Sequence, residues 1–315
     1  MSMELLRQKI EDCNNPTIVG LDPDYQKLPE FLKKQAIEKY GETLEAAAFA
    51  VQIFNHTLID ALCDIVPAVK PQYAFYEQLG WYGMRILADT ISYAHEKGMF
   101  VLADGKRGDV GATMQAYAHA HLGDVQVGTK KIVPFGADAL TVNAYLGSDS
   151  LLPVLEVCKQ KSKCVFVLAK TSNPSSGEIQ DLTVENEPLY MKLGHLSERW
   201  SKMAEDGFAS SNSHGDRYGM VGVVAGATYP VQLSKLRKEL PRTFFLVPGY
   251  GMQGGVARDV APAFDKNGDG AIVASSRSIL YAWKKEECGE QDFAGAARRA
   301  ALRMQNDLNT VRGKR

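Results

Sequence analysis

The sequence predicts an α/β protein of the (β/α)₈ barrel type, a single domain spanning residues 1–315. Three observations predict it. Eight short apolar, β-branched runs recur along the chain, helical patterns lie between them, and polar residues gather where the runs end. The runs are Thr17–Leu21, Ile65–Val69, Phe100–Ala103, Ala139–Val142, Cys164–Ala169, Met220–Ala225, Thr243–Val247 and Ala271–Ala274. Continuous apolar runs of this length suit strands buried on both faces, as in parallel sheets.

The intervening helices follow in order. The clearest is Gly41–Cys63, where Leu44, Ala47, Ala48, Val51, Phe54, Leu58 and Leu62 recur at helical spacing. The others are Glu77–Lys97, Gly111–Leu122, Ser150–Gln160, Glu187–Phe208, Pro230–Glu239, Gly254–Phe264 and Phe293–Val311. A doubly wound open sheet would also alternate, but eight units without an extra edge strand favour the closed barrel. No Pro/Ser-rich linker divides the chain. Residues 173–187 read as a long loop after the fifth strand, and 210–217 as a polar excursion before the sixth. The Lys314-Arg315 end reads as frayed.

Composition narrows the function. An apolar fraction of 45%, a charged fraction of 23% and a formal net charge of −1 describe an ordinary soluble protein. They supply no broad basic field for nucleic acid or an anionic membrane, so neither is expected as a partner. No stretch approaches the roughly 18 apolar residues that span a bilayer. The five cysteines are scattered and odd in number, and the N-terminus opens on Glu4, Arg7 and Lys9 rather than the apolar run of a signal peptide. Both features point to reduced thiols in the cytoplasm.

Active sites of such barrels lie at the C-terminal ends of the strands. Read in order, those ends carry Asp22, Lys70, Asp104 with Lys106, Asn143, Lys170-Thr171-Ser172, Pro248-Gly249-Tyr250-Gly251 and Ser275-Ser276-Arg277. The run Asp104-Gly105-Lys106-Arg107-Gly108-Asp109 concentrates two carboxylates and an ammonium at the end of the third strand. A structural ion pair plus a helix cap at Asp109 would explain the run alone, but not Asp22 and Lys70 converging on the same mouth. Alternating Lys and Asp side chains hold one another charged. Such an array can stabilise a carbanion or deliver a proton.

The second constellation is Pro248 through Gly255 followed by Arg277. Gly249, Gly251 and Gly254 spell G-x-G-x-x-G, a weak dinucleotide signal at a seventh strand. A phosphate cradle fits the place better: glycines let backbone N–H groups approach an anion, and Arg277 adds a bidentate contact. Asp265-Lys266-Asn267-Gly268-Asp269-Gly270 imitates the start of an EF-hand, but its twelfth position is Ser276 instead of a bidentate Glu, so it reads as a turn. His56, His95, His119, His121, His195 and His214 show no metal-ligand spacing. They read as structural or surface residues, and no metal is expected.

Asp104-x-Lys106-x-x-Asp109, Lys70, the Pro-Gly-x-Gly-x-Gln-Gly-Gly segment with Ser276-Arg277, and Lys170-Thr171-Ser172-Asn173-Pro174 closely resemble the longer-chain branch of the orotidine 5′-phosphate decarboxylases. The resemblance covers roughly residues 16 to 283. It implies removal of CO₂ from orotidine 5′-monophosphate to give UMP, the last step of de novo pyrimidine synthesis, without a cofactor. By the same resemblance Lys106 stabilises and protonates the C6 carbanion, and Asp104 lies near the departing carboxylate. Lys70 keeps Asp104 ionised, and Asp22 binds ribose hydroxyls. Ser172 reads the pyrimidine edge, and Gln253 and Arg277 hold the phosphate. Gln72, Thr113 and Pro248 join the implied substrate contacts, with Gln72 standing where some relatives carry Asn. Asp109 is implied to serve the neighbouring subunit's site, hence a homodimer. Two other readings compete. One is a metal-dependent hexulose-phosphate synthase, which shares Asp-x-Lys-x-x-Asp and needs acidic ligands at the mouth. The other is a noncatalytic nucleotide-binding barrel, which has no use for the Lys/Asp array.

Overall fold

The structure, a computed structural model, describes residues 2–206, 217–251, 254–286 and 288–313. Eight parallel strands close into a barrel: β1 (Thr17–Leu21), β2 (Ala68–Pro71), β3 (Phe100–Arg107), β4 (Ala139–Val142), β5 (Cys164–Lys170), β6 (Val221–Ala225), β7 (Phe245–Val247) and β8 (Ala271–Ser275). Each pairs with its sequence neighbours, and β8 returns to β1 through Thr17 opposite Val273. Closure leaves no open edge, so every strand is covered on both sides.

Side-chain alternation sorts the strands into two layers. Ile18, Ala68, Phe100, Leu102, Ala139, Phe166, Leu246 and Ile272 fill the barrel interior. Val19, Val69, Val101, Ala103, Leu140, Val167 and Val273 face the surrounding helices. Successive strand residues point to opposite faces, so the interior parity, carried past the last apolar layer, decides which residues line the mouth. Gly20 and Asp22, Lys70 and Gln72, Asp104 and Lys106, and Ala274 and Ser276 all inherit it.

The opposite end of the barrel is plugged by a helix unread in the sequence, Ser2–Asp12. Its Met3, Leu6 and Ile10 are buried within the interior layer, each contributing roughly 1.5–3 kcal/mol of burial before entropy. The EF-hand-like segment is a turn at this end: Asp265 Oδ1 accepts from the backbone N–H groups of Asn267 and Asp269. The Asp265 and Asp269 carboxylates face Arg217, at 2.7 and 3.0 Å, where a calcium loop would hold its ion.

Several elements depart from the sequence reading. β2 begins at Ala68, because Ile65 and Val66 still bond back to Leu62 at the end of helix Leu44–Leu62. Residues 173–187 are not a plain loop. They hold a 3₁₀ turn, helix Gly177–Gln180 and the hairpin Thr183–Val184/Glu187–Pro188. Only Ala257–Val260 of the expected helix Gly254–Phe264 is α-helical, and Pro262 continues it as 3₁₀. The excursion expected at 210–217 lies outside the described residues save for Arg217, as do His214 and Lys314-Arg315. Among the described residues no helix is long and apolar enough to cross a membrane.

Candidate active site

At the C-terminal mouth the interior alternation opens into a cavity of about 540 Å³. Its floor is an ion cluster centred on Asp104. Lys70 Nζ donates to Asp104 Oδ2 at 2.6 Å, and Lys106 Nζ donates to Oδ1 at 2.6 Å. Gln72 Nε2 adds a bond to Oδ2 at 2.9 Å, and Thr141 Oγ1 adds one to Oδ1 at 2.9 Å. Four donors thus saturate a buried carboxylate, which is the condition for burying charge at all. Lys70 is equally buried, whereas the Lys106 side chain is 45% exposed toward the cavity.

Burial works against ionising Asp104, but the ammoniums of Lys70 and Lys106 outweigh it and hold the carboxyl well below the usual range. Burial likewise opposes charge on Lys70. The nearby carboxylates of Asp104 and Asp22 overcome it and raise that ammonium's pKa. The cluster is therefore a fixed pattern of charge at neutral pH.

Backbone geometry places Lys106. The β3–β4 register shifts between Ala103 and Arg107, and Lys106 adopts φ 47°. That left-handed conformation is uncommon for a long side chain and costs of order 1–3 kcal/mol. The distorted segment is held because Lys106 N donates to Thr141 Oγ1 at 2.9 Å. One threonine hydroxyl therefore positions both the carboxylate and the lysine backbone.

The cavity wall completes the site. Asp22, Ser172, Pro248 and Arg277 line it, as the strand ends predicted. Asp22 Oδ1 is buried without a hydrogen-bond partner among the described residues, an open acceptor in the cavity wall. Arg277 is exposed, and no carboxylate among the described residues pairs with it. Gly249 and Gly251 take φ of 102° and 76°, conformations that favour glycine, so the backbone can turn tightly beside Arg277. Gln253 lies outside the described residues.

Two strand-end residues fall elsewhere. Asn143 is exposed and bonds back to the Tyr145 N–H. Lys170 is carried off the mouth by a register shift after Leu168, so that its ammonium meets Asp181. Asp109 and Thr113 also lie outside the cavity, on the segment that opens helix Gly111–His121. Among the described residues the Asp109 carboxylate accepts only from the adjacent Val110 N–H. Thr141 and Gln180 line the cavity and were missed. A lone threonine in an apolar strand carries no signal, although the parity of Ala139 would have pointed Thr141 inward.

Residues 42–291 match the family model described as orotidine 5′-phosphate decarboxylase / HUMPS family. The chain belongs to that family. An orotidine 5′-phosphate decarboxylase of Rhodopirellula baltica is 45% identical over 296 residues, covering 93% of each chain. One from Caldicellulosiruptor saccharolyticus is 34% identical over 308 residues, 97% of each. Among solved structures, a putative orotidine-monophosphate decarboxylase from Toxoplasma gondii superposes with a TM-score of 0.76 at 30% identity, covering 98% of both chains. The decarboxylases thus resemble this chain over nearly its whole length, more than the family match alone covers.

Proposed function

We propose that the cavity binds orotidine 5′-monophosphate and that the chain removes its carboxylate as CO₂ to give UMP, the last step of de novo pyrimidine synthesis. The observation that carries this reading is the Asp104 carboxylate clamped at 2.6 Å by Lys70 and Lys106 at the floor of the cavity. Cleavage of the C6–carboxylate bond leaves an electron pair on C6 that the pyrimidine ring does not delocalise. A fixed ammonium is what such a carbanion needs, and here Lys106 supplies it. The same ammonium then gives its proton to C6, and the resulting amine regains one from solvent. Asp104, unable to take a proton in this setting, repels the substrate carboxylate until it leaves. No cofactor enters this scheme.

The remaining contacts follow from chemistry and position. Asp22 offers its open acceptor to ribose hydroxyls, with Lys70 and Gln72 beside it. Ser172 faces the pyrimidine. Pro248, the glycine turn and Arg277 receive the phosphate, together with Gln253. Phosphate binding far from C6 is useful because remote binding energy can be spent on ordering and desolvating the reacting centre. A magnesium-dependent aldol reaction is less well served, since Asp104 is already saturated by two ammoniums and Lys70 stands where a ligand carboxylate would be needed.

The protein acts as a homodimer in this reading. Asp109 and Thr113 sit outside their own cavity, and exposed Val110, Tyr145 and Leu146 flank them across the Gly108–Asn143 contact. An apolar rim bearing polar residues suits a two-fold contact in which each Asp109 completes its partner's site. The five free cysteines suit a reducing cytoplasm. Release of CO₂ from carboxyl-labelled orotidine 5′-monophosphate by the pure protein tests the assignment; retention of the label would reject it.

A further inference from the structure

Lys170 is a buried cation that the reaction scheme does not use. It ends β5, it is 1% exposed, and its Nζ donates to Asp181 Oδ1 at 2.8 Å. Its ammonium also lies 4.3 Å from the centre of the Tyr229 ring. Asp181 belongs to the segment 173–188, which runs across the mouth and returns through the Thr183–Val184/Glu187–Pro188 hairpin. Burying a lysine is costly unless a carboxylate meets it, and the carboxylate here comes from a strap rather than from the barrel.

The residue next to Asp181 carries the contact into the cavity. Gln180 Oε1 accepts from Thr171 N at 2.9 Å, and Gln180 Nε2 donates to Thr171 Oγ1 at 2.8 Å. Both ends of one amide are spent on Thr171, the residue before Ser172. Ser172 is gripped from its other side: Thr228 Oγ1 donates to Ser172 O at 3.1 Å, and Tyr229 Oη donates to Asn173 O at 3.1 Å. The packing is close enough that a Cβ on Gly226 would come within 2.8 Å of Ser172 Cα. Lys170 itself does not line the cavity, whereas Thr171, Ser172, Asn173 and Gln180 do.

We propose that the Lys170–Asp181 ion pair is a latch that docks the strap 173–188 onto the barrel, so that Gln180 fixes Thr171 and presents Ser172 to the pyrimidine. Lys170 and Asp181 are positioning residues for substrate binding, acting through Ser172. The inference rests on the proposed reading of Ser172 as a substrate contact. With the latch closed, Ser172 is ordered before substrate arrives, and binding does not have to supply that ordering. With it open, the same contact is made only after the strap has been docked.

The test uses the full chain with Asp181→Asn and Lys170→Met, each alone and in a Ser172→Ala background, followed by steady-state decarboxylation and UMP binding. Each single variant is expected to raise KM and the UMP Kd by about tenfold, the scale of one well-placed hydrogen bond, while kcat at saturation falls less than about threefold. In the Ser172→Ala background the same changes should move KM by less than about twofold. An unchanged KM in the single variants, or effects that simply add, would overturn the latch, as would a loss of kcat at constant KM. Asp181 is half-exposed, so Asp181→Asn keeps the test open if Lys170→Met does not fold. Amide exchange of the substrate-free proteins supplies a second readout: residues 171–188 should exchange faster in Asp181→Asn, and equal exchange would reject the latch whatever the activity. Failure of the underlying reading looks different, with Ser172→Ala alone leaving KM and UMP affinity unchanged.

Discussion

Asp104 and Lys106 are two residues apart on β3 and meet at 2.6 Å between Oδ1 and Nζ. Strand alternation alone would point both side chains inward. Their contact is tightened by the left-handed turn at Lys106 and by Thr141, which donates to one and accepts from the backbone of the other. Thr141→Val should therefore leave the barrel folded yet lower kcat by about ten- to a hundredfold, because one lost donor also loosens the Lys106 backbone. Turnover at the wild-type rate would show that the threonine is incidental.

Arg277 lines the same cavity as the Lys/Asp cluster and has no paired carboxylate among the described residues. Arg277→Ala should cost roughly 1.5–3 kcal/mol of affinity for UMP, the value of a charge-assisted hydrogen bond. The loss should shrink for uridine, which lacks the phosphate. Titration calorimetry with both ligands measures it, and equal losses for the two would place Arg277 elsewhere in recognition.

Asp109 supports a hybrid experiment. Mixed dimers of Lys106→Ala and Asp109→Ala chains should recover activity, since one of two shared sites would then be intact. The recovery is bounded by about a quarter of wild type for random exchange, half the dimers being hybrids with one good site each. Demonstrated subunit exchange without recovery would mean that Asp109 serves its own chain.

His121 gives a pH signature unrelated to catalysis. Its ring is buried against Tyr73, Tyr117 and Phe135, and burial, helped by the Arg107 charge, depresses its pKa to about 4. The unfolded chain therefore binds a proton between pH 6.5 and about 4 that the folded chain refuses. The resulting stability is fully present above pH 6.5 and declines as pH falls toward 4, by of order 3 kcal/mol from this group. Denaturant melts of His121→Phe should show a shallower decline over that window. Parallel curves for variant and wild type would exclude the histidine as the source.

Much of this was legible in the sequence because the barrel repeats a simple rule. Phe100 and Leu102 announce a strand, and the same alternation carried two steps further delivers Asp104 and Lys106 to the mouth. The failures are equally local. Ile65 and Val66 read as strand because burial at a helix end looks the same as burial in a sheet. Lys170 read as a mouth residue because a register shift of one residue leaves no trace in the sequence. Thr141 and Gln180 were invisible because their importance is a matter of what they touch. The Ser2–Asp12 plug, mostly polar on its outer side, gave too few apolar residues to stand out from an ordinary terminus.

In the proposed metal-independent decarboxylation, Lys106 both stabilises and protonates the carbanion. The most direct measurement follows the absorbance of orotidine 5′-monophosphate with pure wild-type protein and Lys106→Ala, both in EDTA. Full turnover is expected of the wild type and none detectable of Lys106→Ala, with UMP binding retained by the variant. Near-normal turnover by Lys106→Ala, or a wild type silenced by the chelator, would contradict this mechanism.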